Sequence, residues 1–305
     1  MQFRGGVQLD LPLARQAIDR DNLARTRPEL FDELWSDSTT RVLAMFEGSV
    51  LLEGQSLRLL PVESVPSASY RVYLGRDSEG PVVLAVLSEN AAKQLEPVAE
   101  NWHHLRKTGA GLDDRDAGLF TQALAIANWH ATHQHCPRCG TPTLVADGGW
   151  VRRCFKDESE HYPRTDPAVI VAIIDDQERI LLGSQGAWED NRWSILAGFV
   201  EPGESLEAAV VREMFEEAGI DVSYPEYLGS QAWPFPYSLM LGFIAKAKTT
   251  ELRPDGEEIE KLRWFSREEL AAEAKDLLLP NRISIARAII EHWFGGELVS
   301  GSELR

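Results

Sequence analysis

Apolar residues along the chain change spacing from one stretch to the next, and each spacing predicts an element. Arg41-Val42-Leu43-Ala44-Met45-Phe46 and Tyr70-Arg71-Val72-Tyr73-Leu74 read as strands, and Val82 to Val86 as a buried one. From Asp116 to His133 the spacing becomes helical, with Leu119, Phe120, Leu124, Ala127 and Trp129 on one apolar face. After Asp166-Pro167, the unbroken run Ala168–Ile174 is of the kind covered on both faces. Arg179-Ile180-Leu181-Leu182-Gly183 is expected to fold back on it across Asp175-Asp176-Gln177-Glu178. A short strand at Trp193 to Leu196 and a Gly-rich loop follow. Next comes a helix from about Ser205 to Ala218, ended by Gly219. Further strands and a last helix, Ile283 to Phe294, complete an α/β/α pattern.

These textures predict an α+β protein in three parts. Residues 1–130 form an α/β domain with no motif of its own, read as a scaffold or dimerisation domain. Residues 131–166 form a small module punctuated by Gly and Pro. Residues 167–305 form an α/β/α sandwich around a mixed sheet.

Length and charge narrow the chemistry. The chain has 305 residues, room for more than one domain. Its formal net charge of −17 excludes a broad basic grip on nucleic acid, and an acidic chain that handles an anionic ligand must recruit cations locally. No apolar run is long enough to span a bilayer. Met1-Gln2-Phe3-Arg4-Gly5-Gly6 lacks the layout of a signal peptide, so a cytoplasmic location without membrane attachment is expected. The three cysteines, Cys136, Cys139 and Cys154, are clustered and odd in number, which reads as metal ligation rather than a disulfide framework.

The segment from Gly198 to Ile220 carries the strongest signal. Glu213 and Glu217 lie four apart on one helical face and Glu216 lies three from Glu213, so three carboxylates gather within a turn. Such a helix is destabilised unless a cation neutralises it, and hard oxygen ligands suit Mg²⁺ or Mn²⁺. Arg212 can pair with Glu204 or another of the acids. Gly198 and Gly203 are expected to let the loop turn sharply and approach a ligand. The spacing is Gly, five residues, Glu, seven residues, Arg-Glu, two residues, Glu-Glu, one residue, Gly and an apolar residue. It resembles the complete box of the Nudix hydrolases, which cleave nucleoside diphosphates linked to another group. The resemblance implies Glu213 and Glu217 as metal ligands, with the carbonyl of Ala197 as a backbone ligand. Glu216 is either a general base or a further ligand.

Past the box, Ser230-Gln231-Ala232-Trp233-Pro234-Phe235-Pro236-Tyr237-Ser238 cannot be a regular central strand, because its prolines lack ladder donors. It is expected to hold flat rings in a rigid extended segment able to line a nicotinamide or adenine pocket, with Gln231 and Ser238 as polar contacts. It resembles the Ser-Gln-Pro-Trp-Pro-Phe-Pro-x-Ser signature of the NADH pyrophosphatase (NudC-type) subfamily, departing from it at Ala232. The resemblance runs from about Arg106 to the C-terminus and is architectural only before that, where it implies a Nudix-like or scaffold domain over residues 1–130. It implies NADH or NAD⁺ as substrate, action on NAD-capped RNA 5′ ends, and a homodimer. It also implies Glu258 as a further metal ligand, and substrate contacts at Arg106, Tyr162, Phe199, Gln231 to Ser238 and Ala286. Gly149 stands where some members place a contacting Glu.

Cys136-Pro137-Arg138-Cys139 forms a knuckle able to present two thiolates to Zn²⁺, with Cys154 at a ribbon-like distance. The subfamily places a fourth Cys where this chain has Asp157. A carboxylate can ligate zinc, so a site of three Cys and one Asp is one reading, with His161 a less well-spaced substitute. A ribbon held by packing without zinc is the other. Two further functional readings stand beside the dinucleotide hydrolase: a broader hydrolase of ADP-ribose or nucleoside diphosphate sugars, and a non-catalytic nucleotide sensor. The sensor reading sits poorly with four box carboxylates all present.

Overall fold

The computed structural model describes residues 9–303. The remaining residues, among them Met1 to Gly6 on which the signal-peptide reading falls, lie outside the described ones. The chain divides into two compact units. Among the described residues, one comprises 13–165 and 233–237 and bears the cysteines; the other comprises 9–12, 166–232 and 238–303 and bears the acidic box.

In the ribbon-bearing unit, strands β1 (Arg41–Phe46), β2 (Ser49–Glu53), β3 (Ser56–Leu57), β4 (Leu59–Pro61), β5 (Ala68–Arg76), β6 (Pro81–Leu87) and β7 (Trp102–His104) form one sheet. Its order is β3-β2-β1-β6-β5, with β4 beside β1 and β7 beside β2. Pairing is parallel between β1 and β6 and antiparallel between β5 and β6. The three strands expected from apolar runs fall in β1, β5 and β6. Helices α1 (Leu30–Ser36), α2 (Glu89–Leu95), α3 (Leu105–Thr108) and α4 (Asp114–Thr132) accompany the sheet. The Asp113 carboxylate caps α4 by accepting the Asp116 N–H. Leu119, Phe120, Leu124, Ala127 and Trp129 are all buried, as their spacing required. Each large side chain among them contributes about 1.5–3 kcal/mol of hydrophobic stabilisation.

Strands β8 (Thr143–Ala146), β9 (Val151–Cys154) and β10 (Glu160–His161) make an antiparallel ribbon in the order β10-β9-β8. A buried polar knot ties it to α4. His130 Nε2 lies 2.8 Å from the Gly149 carbonyl, which only accepts, so this nitrogen carries the proton. Nδ1 then accepts from the Arg152 guanidinium at 3.0 Å. Burial keeps this imidazole neutral, its pKa pushed down to about 4.

The box-bearing unit shows why Ala168–Ile174 had to be apolar throughout. Strand β11 (Asp166–Ile174) sits inside the sheet β14-β15-β11-β12-β16, with β13 (Leu196–Phe199) also on β11. The other strands are β12 (Ile180–Ser184), β14 (Val222–Trp233), β15 (Ser238–Ala247) and β16 (Lys261–Phe265). Alternate residues of β11 face opposite layers. Val169, Val171 and Ile173 pack with Ala209, Val210 and Met214 of α5 (Leu206–Ala218). Ile170, Ala172 and Ile174 pack with Ile285, Ile289 and Ile290 of α7 (Ile285–Phe294), and Leu270 of α6 (Arg267–Glu273) joins that layer. The sheet is mixed: β15 runs parallel to β11, while β13 runs antiparallel to it. No described helix is long and apolar enough to cross a membrane.

Two details depart from expectation. Strand β12 meets β11 at Ile174 and Ile180, next to the turn, but its full ladder is with β16. The short strand begins at Leu196 rather than Trp193. The Trp193 N–H is taken by the Leu278 carbonyl and Ser194 bridges Gly183, so the ladder on β11 starts only afterwards.

Candidate functional site

The ends of α5 fix the register of its acids. Ser205 caps the first turn, accepting the Ala208 N–H, and Gly219 closes the last at φ 69°. Arg212 then organises the cluster. Its Nε and one terminal nitrogen hold both Glu204 oxygens, at 2.9 and 2.8 Å. The other terminal nitrogen donates to Glu213 at 2.8 Å and to Glu216 at 2.9 Å. Both expected pairings of Arg212 are therefore made at once, and hydrogen bonds to these acids, Glu204 above all, hold the guanidinium pKa well above its usual value.

Glu217 stands apart. It is 4% exposed, its Oε2 has no hydrogen-bond partner, and burial together with the charges of Glu213, Glu258, Asp255 and Glu216 pushes its pKa up to about 8. Burial also raises Glu213. A buried, orphaned carboxylate oxygen among like charges is costly unless a cation meets it, so these residues fit a divalent metal. Glu216 is mostly exposed, its side chain 57% accessible.

Gly198 has a different task from the one expected. It lies in β13 opposite Val169, and a Cβ there would fall 1.9 Å from Cδ of Glu213. Its missing side chain makes room for that carboxylate, whereas Gly203, at φ 91°, is the residue that makes the turn. Ala197 precedes Gly198 in β13, opposite Ile170. Glu258 is presented by a loop that Asp255 organises, its carboxylate accepting the N–H groups of Glu257, Glu258 and Ile259 at 3.2, 3.2 and 2.8 Å. Sequence reasoning passed over Asp255, although an Asp-Gly turn just before the acid was a usable signal.

In the ribbon-bearing unit, residues 234–237 form a turn rather than the extended segment expected, with the Phe235 N–H donating to the Trp233 carbonyl at 2.7 Å. Trp233 and Phe235 meet edge to face at 4.8 Å. The Arg106 guanidinium lies 3.9 Å from the Phe235 ring centre and 5.1 Å from that of Trp233. His104 stacks on Phe235 at 5.6 Å, and Tyr237 bonds Thr132 at 2.6 Å. Arg106, Trp233 and Phe235 are thus gathered in one cluster, while Pro234, Pro236 and Tyr237 share the turn and Tyr237 is held by Thr132 instead. His104 was missed, since nothing local to it signals a ring 131 positions away. Tyr162 is exposed, and its hydroxyl donates to Glu160 at 2.8 Å.

The other candidates lie in the box-bearing unit. Phe199 is exposed at the end of β13. Ser238 opens β15, and Ala232 is near the end of β14. The Gln231 side chain is buried and donates to the Ile283 carbonyl at 2.8 Å. Ala286 is buried in the core at the start of α7.

Cys136, Cys139, Cys154 and Asp157 bring one ligand atom each to within 4.8 Å of one another. The Cys139 and Cys154 sulfurs are 3.6 Å apart, and Cys136 Sγ is 3.6 Å from Asp157 Oδ2. Tetrahedral zinc with Zn–S near 2.3 Å calls for ligand separations of about 3.8 Å. The residues fit zinc. Hydrogen bonds, those of Thr141 first, lower the Cys139 thiol to about 7, and Ser159 holds Asp157 below the usual carboxylate range. Ser159 lies between Asp157 and His161, 3.2 Å from the His161 ring, so His161 sits beside the quartet rather than in it.

The sandwich and its acidic α5 define the class, and residues 164–287 match the NUDIX domain. Residues 131–162 match the NADH pyrophosphatase zinc ribbon domain, and residues 39–129 the NADH pyrophosphatase-like rudimentary NUDIX domain. The chain is 40% identical over 306 residues to the NAD-capped RNA hydrolase NudC of Mycobacterium tuberculosis, covering 92% of this chain and 94% of that protein. It is 36% identical over 220 residues to the NAD-capped RNA hydrolase NUDT12 of Homo sapiens, covering 67% of this chain and 48% of that protein. The chain belongs to the NADH pyrophosphatase (NudC-type) family of Nudix hydrolases.

Proposed function

We propose that this chain hydrolyses NADH and NAD⁺ at the central diphosphate, giving NMNH or NMN plus AMP, and that it removes NAD caps from RNA 5′ ends. The observation that carries the reading is the buried, unpartnered Oε2 of Glu217 amid Glu213, Glu216 and Glu258. The names of the relatives, NAD-capped RNA hydrolases, give the substrate class.

Glu213, Glu216, Glu217, Glu258 and the Ala197 carbonyl would hold Mg²⁺ or Mn²⁺, both suited to hard oxygen donors. Such an ion supplies positive charge against the diphosphate and lowers the pKa of a water. Glu216 or Glu217 takes the proton as water attacks phosphorus and the bridging P–O bond breaks. Arg212 keeps Glu204, Glu213 and Glu216 in place. Arg106, Tyr162, Phe199, Gln231, Ala232, Trp233, Pro234, Phe235, Pro236, Tyr237, Ser238 and Ala286 are the candidate substrate contacts, the aromatic ones offering faces to a base. Zinc on Cys136, Cys139, Cys154 and Asp157 is structural, because four protein ligands leave no open position. The protein acts as a cytoplasmic homodimer, with functional parts at 1–130, 131–166 and 167–305. Its net charge of −17 confines RNA contact to the cap and a few nucleotides.

Purified protein with Mn²⁺ and a nucleotide panel tests the reading. NADH should yield NMNH and AMP, and 5′-NAD RNA a monophosphate end. Preference for ADP-ribose or a nucleoside diphosphate sugar would overturn the substrate assignment.

A further inference from the structure

The turn at 234–237 has two prolines, and their carbonyls, like any backbone acceptor, call for a donor. Asn128 of α4 meets them. Its Nδ2 donates to the Pro234 carbonyl at 3.0 Å and to the Pro236 carbonyl at 3.2 Å. Both neighbours only accept, so the amide can face them in one orientation, and both its protons are used. These carbonyls flank Phe235, whose ring is stacked by His104 and covered by Arg106. One turn further along α4, Thr132 holds the Tyr237 hydroxyl at 2.6 Å. The turn packs within the same compact unit as α4.

We infer that Asn128 is a positioning residue for base recognition. It fixes the turn so that Trp233 and Tyr237, half-buried beside the covered Phe235 ring, are held ready for a nucleotide base, and so gives the motif-free amino-terminal part of the chain a role in substrate selection. Two hydrogen bonds from one amide hold the carbonyls on either side of Phe235, and the ring between them loses freedom it would otherwise lose on binding. The inference rests on the proposed function in taking the ligand to be a nucleotide base.

Asn128→Asp keeps the shape but replaces the donor with an acceptor and sets a charge against two carbonyls; Asn128→Ala removes the contact outright. Calorimetric titration of AMP and of NMN into the wild type and both variants is the test, with thermal midpoints and NADH kinetics on the same preparations. The expected result is that Asn128→Asp weakens binding of at least one mononucleotide about tenfold, about 1.4 kcal/mol. KM for NADH should rise to match, kcat should stay within about threefold, and Mn²⁺ affinity should not change. Equal mononucleotide binding in wild type and both variants overturns the inference while leaving the proposed activity standing. Loss of binding only in proportion to loss of folded protein also overturns it. Failure of AMP, NMN and NADH alike to bind the wild type removes the proposed function, and the inference with it.

Discussion

In the ribbon, three sulfurs and a carboxylate oxygen lie within 4.8 Å of one another. Along α5 the acids are arranged otherwise: Glu204, Glu213 and Glu216 are drawn onto Arg212, and Glu217 is buried without a partner at Oε2. Among the described residues these carboxylates form no set as tight as the ribbon quartet. The difference follows from the chemistry of the donors. Thiols can be neutral, so they pack together before a metal arrives, and the quartet is closed. Carboxylates repel at the same spacing, so they need a placeholder cation or a retained proton, and the cluster stays open. A closed set suits a metal that holds structure, an open one a metal that shares its ligands with a substrate.

The largest blow to the open cluster should come from Gly198→Ala. The new Cβ would fall 1.9 Å from Glu213 Cδ and must displace that carboxylate. Displacement of about an ångström in a catalytic group costs roughly 10²-fold in kcat. Steady-state kinetics at saturating Mn²⁺ check this, and the thermal midpoint should change little. Cys154→Ser probes the closed set and should do the reverse. It should lower bound zinc, read by metal analysis, and lower the thermal midpoint by several degrees, about 4 °C per kcal/mol or less for a chain of this size. Turnover per folded molecule should fall only a few-fold.

What was legible in the sequence was local. The acidic helix, its Ser205 and Gly219 ends, and the covered strand Ala168–Ile174 depend on spacing within a few residues, and they stand where the spacing put them. The prolines likewise announced that the chain leaves the ladder after Trp233. The partners of that turn were not legible, because Asn128 and His104 lie more than a hundred positions earlier. The start of β13 was set by a competitor, the Leu278 carbonyl, far along the chain. The reason for Gly198 was misjudged because the side chain it accommodates belongs to another element.

Glu217 and its neighbours suit a divalent cation, and the pH dependence of stability reads this out. Without metal, folding raises the Glu217 pKa from the ordinary carboxylate range to about 8, so between those limits the folded state holds a proton that the unfolded state has released. That contribution to stability is fully present below the ordinary carboxylate range and is lost as pH rises through about 8. A bound cation replaces the proton. Thermal midpoints from pH 5 to 8, with and without Mn²⁺, should therefore show stabilisation by Mn²⁺ that grows with pH and is largely absent in Glu217→Gln. Stabilisation independent of pH, or equal in the variant, would contradict the account.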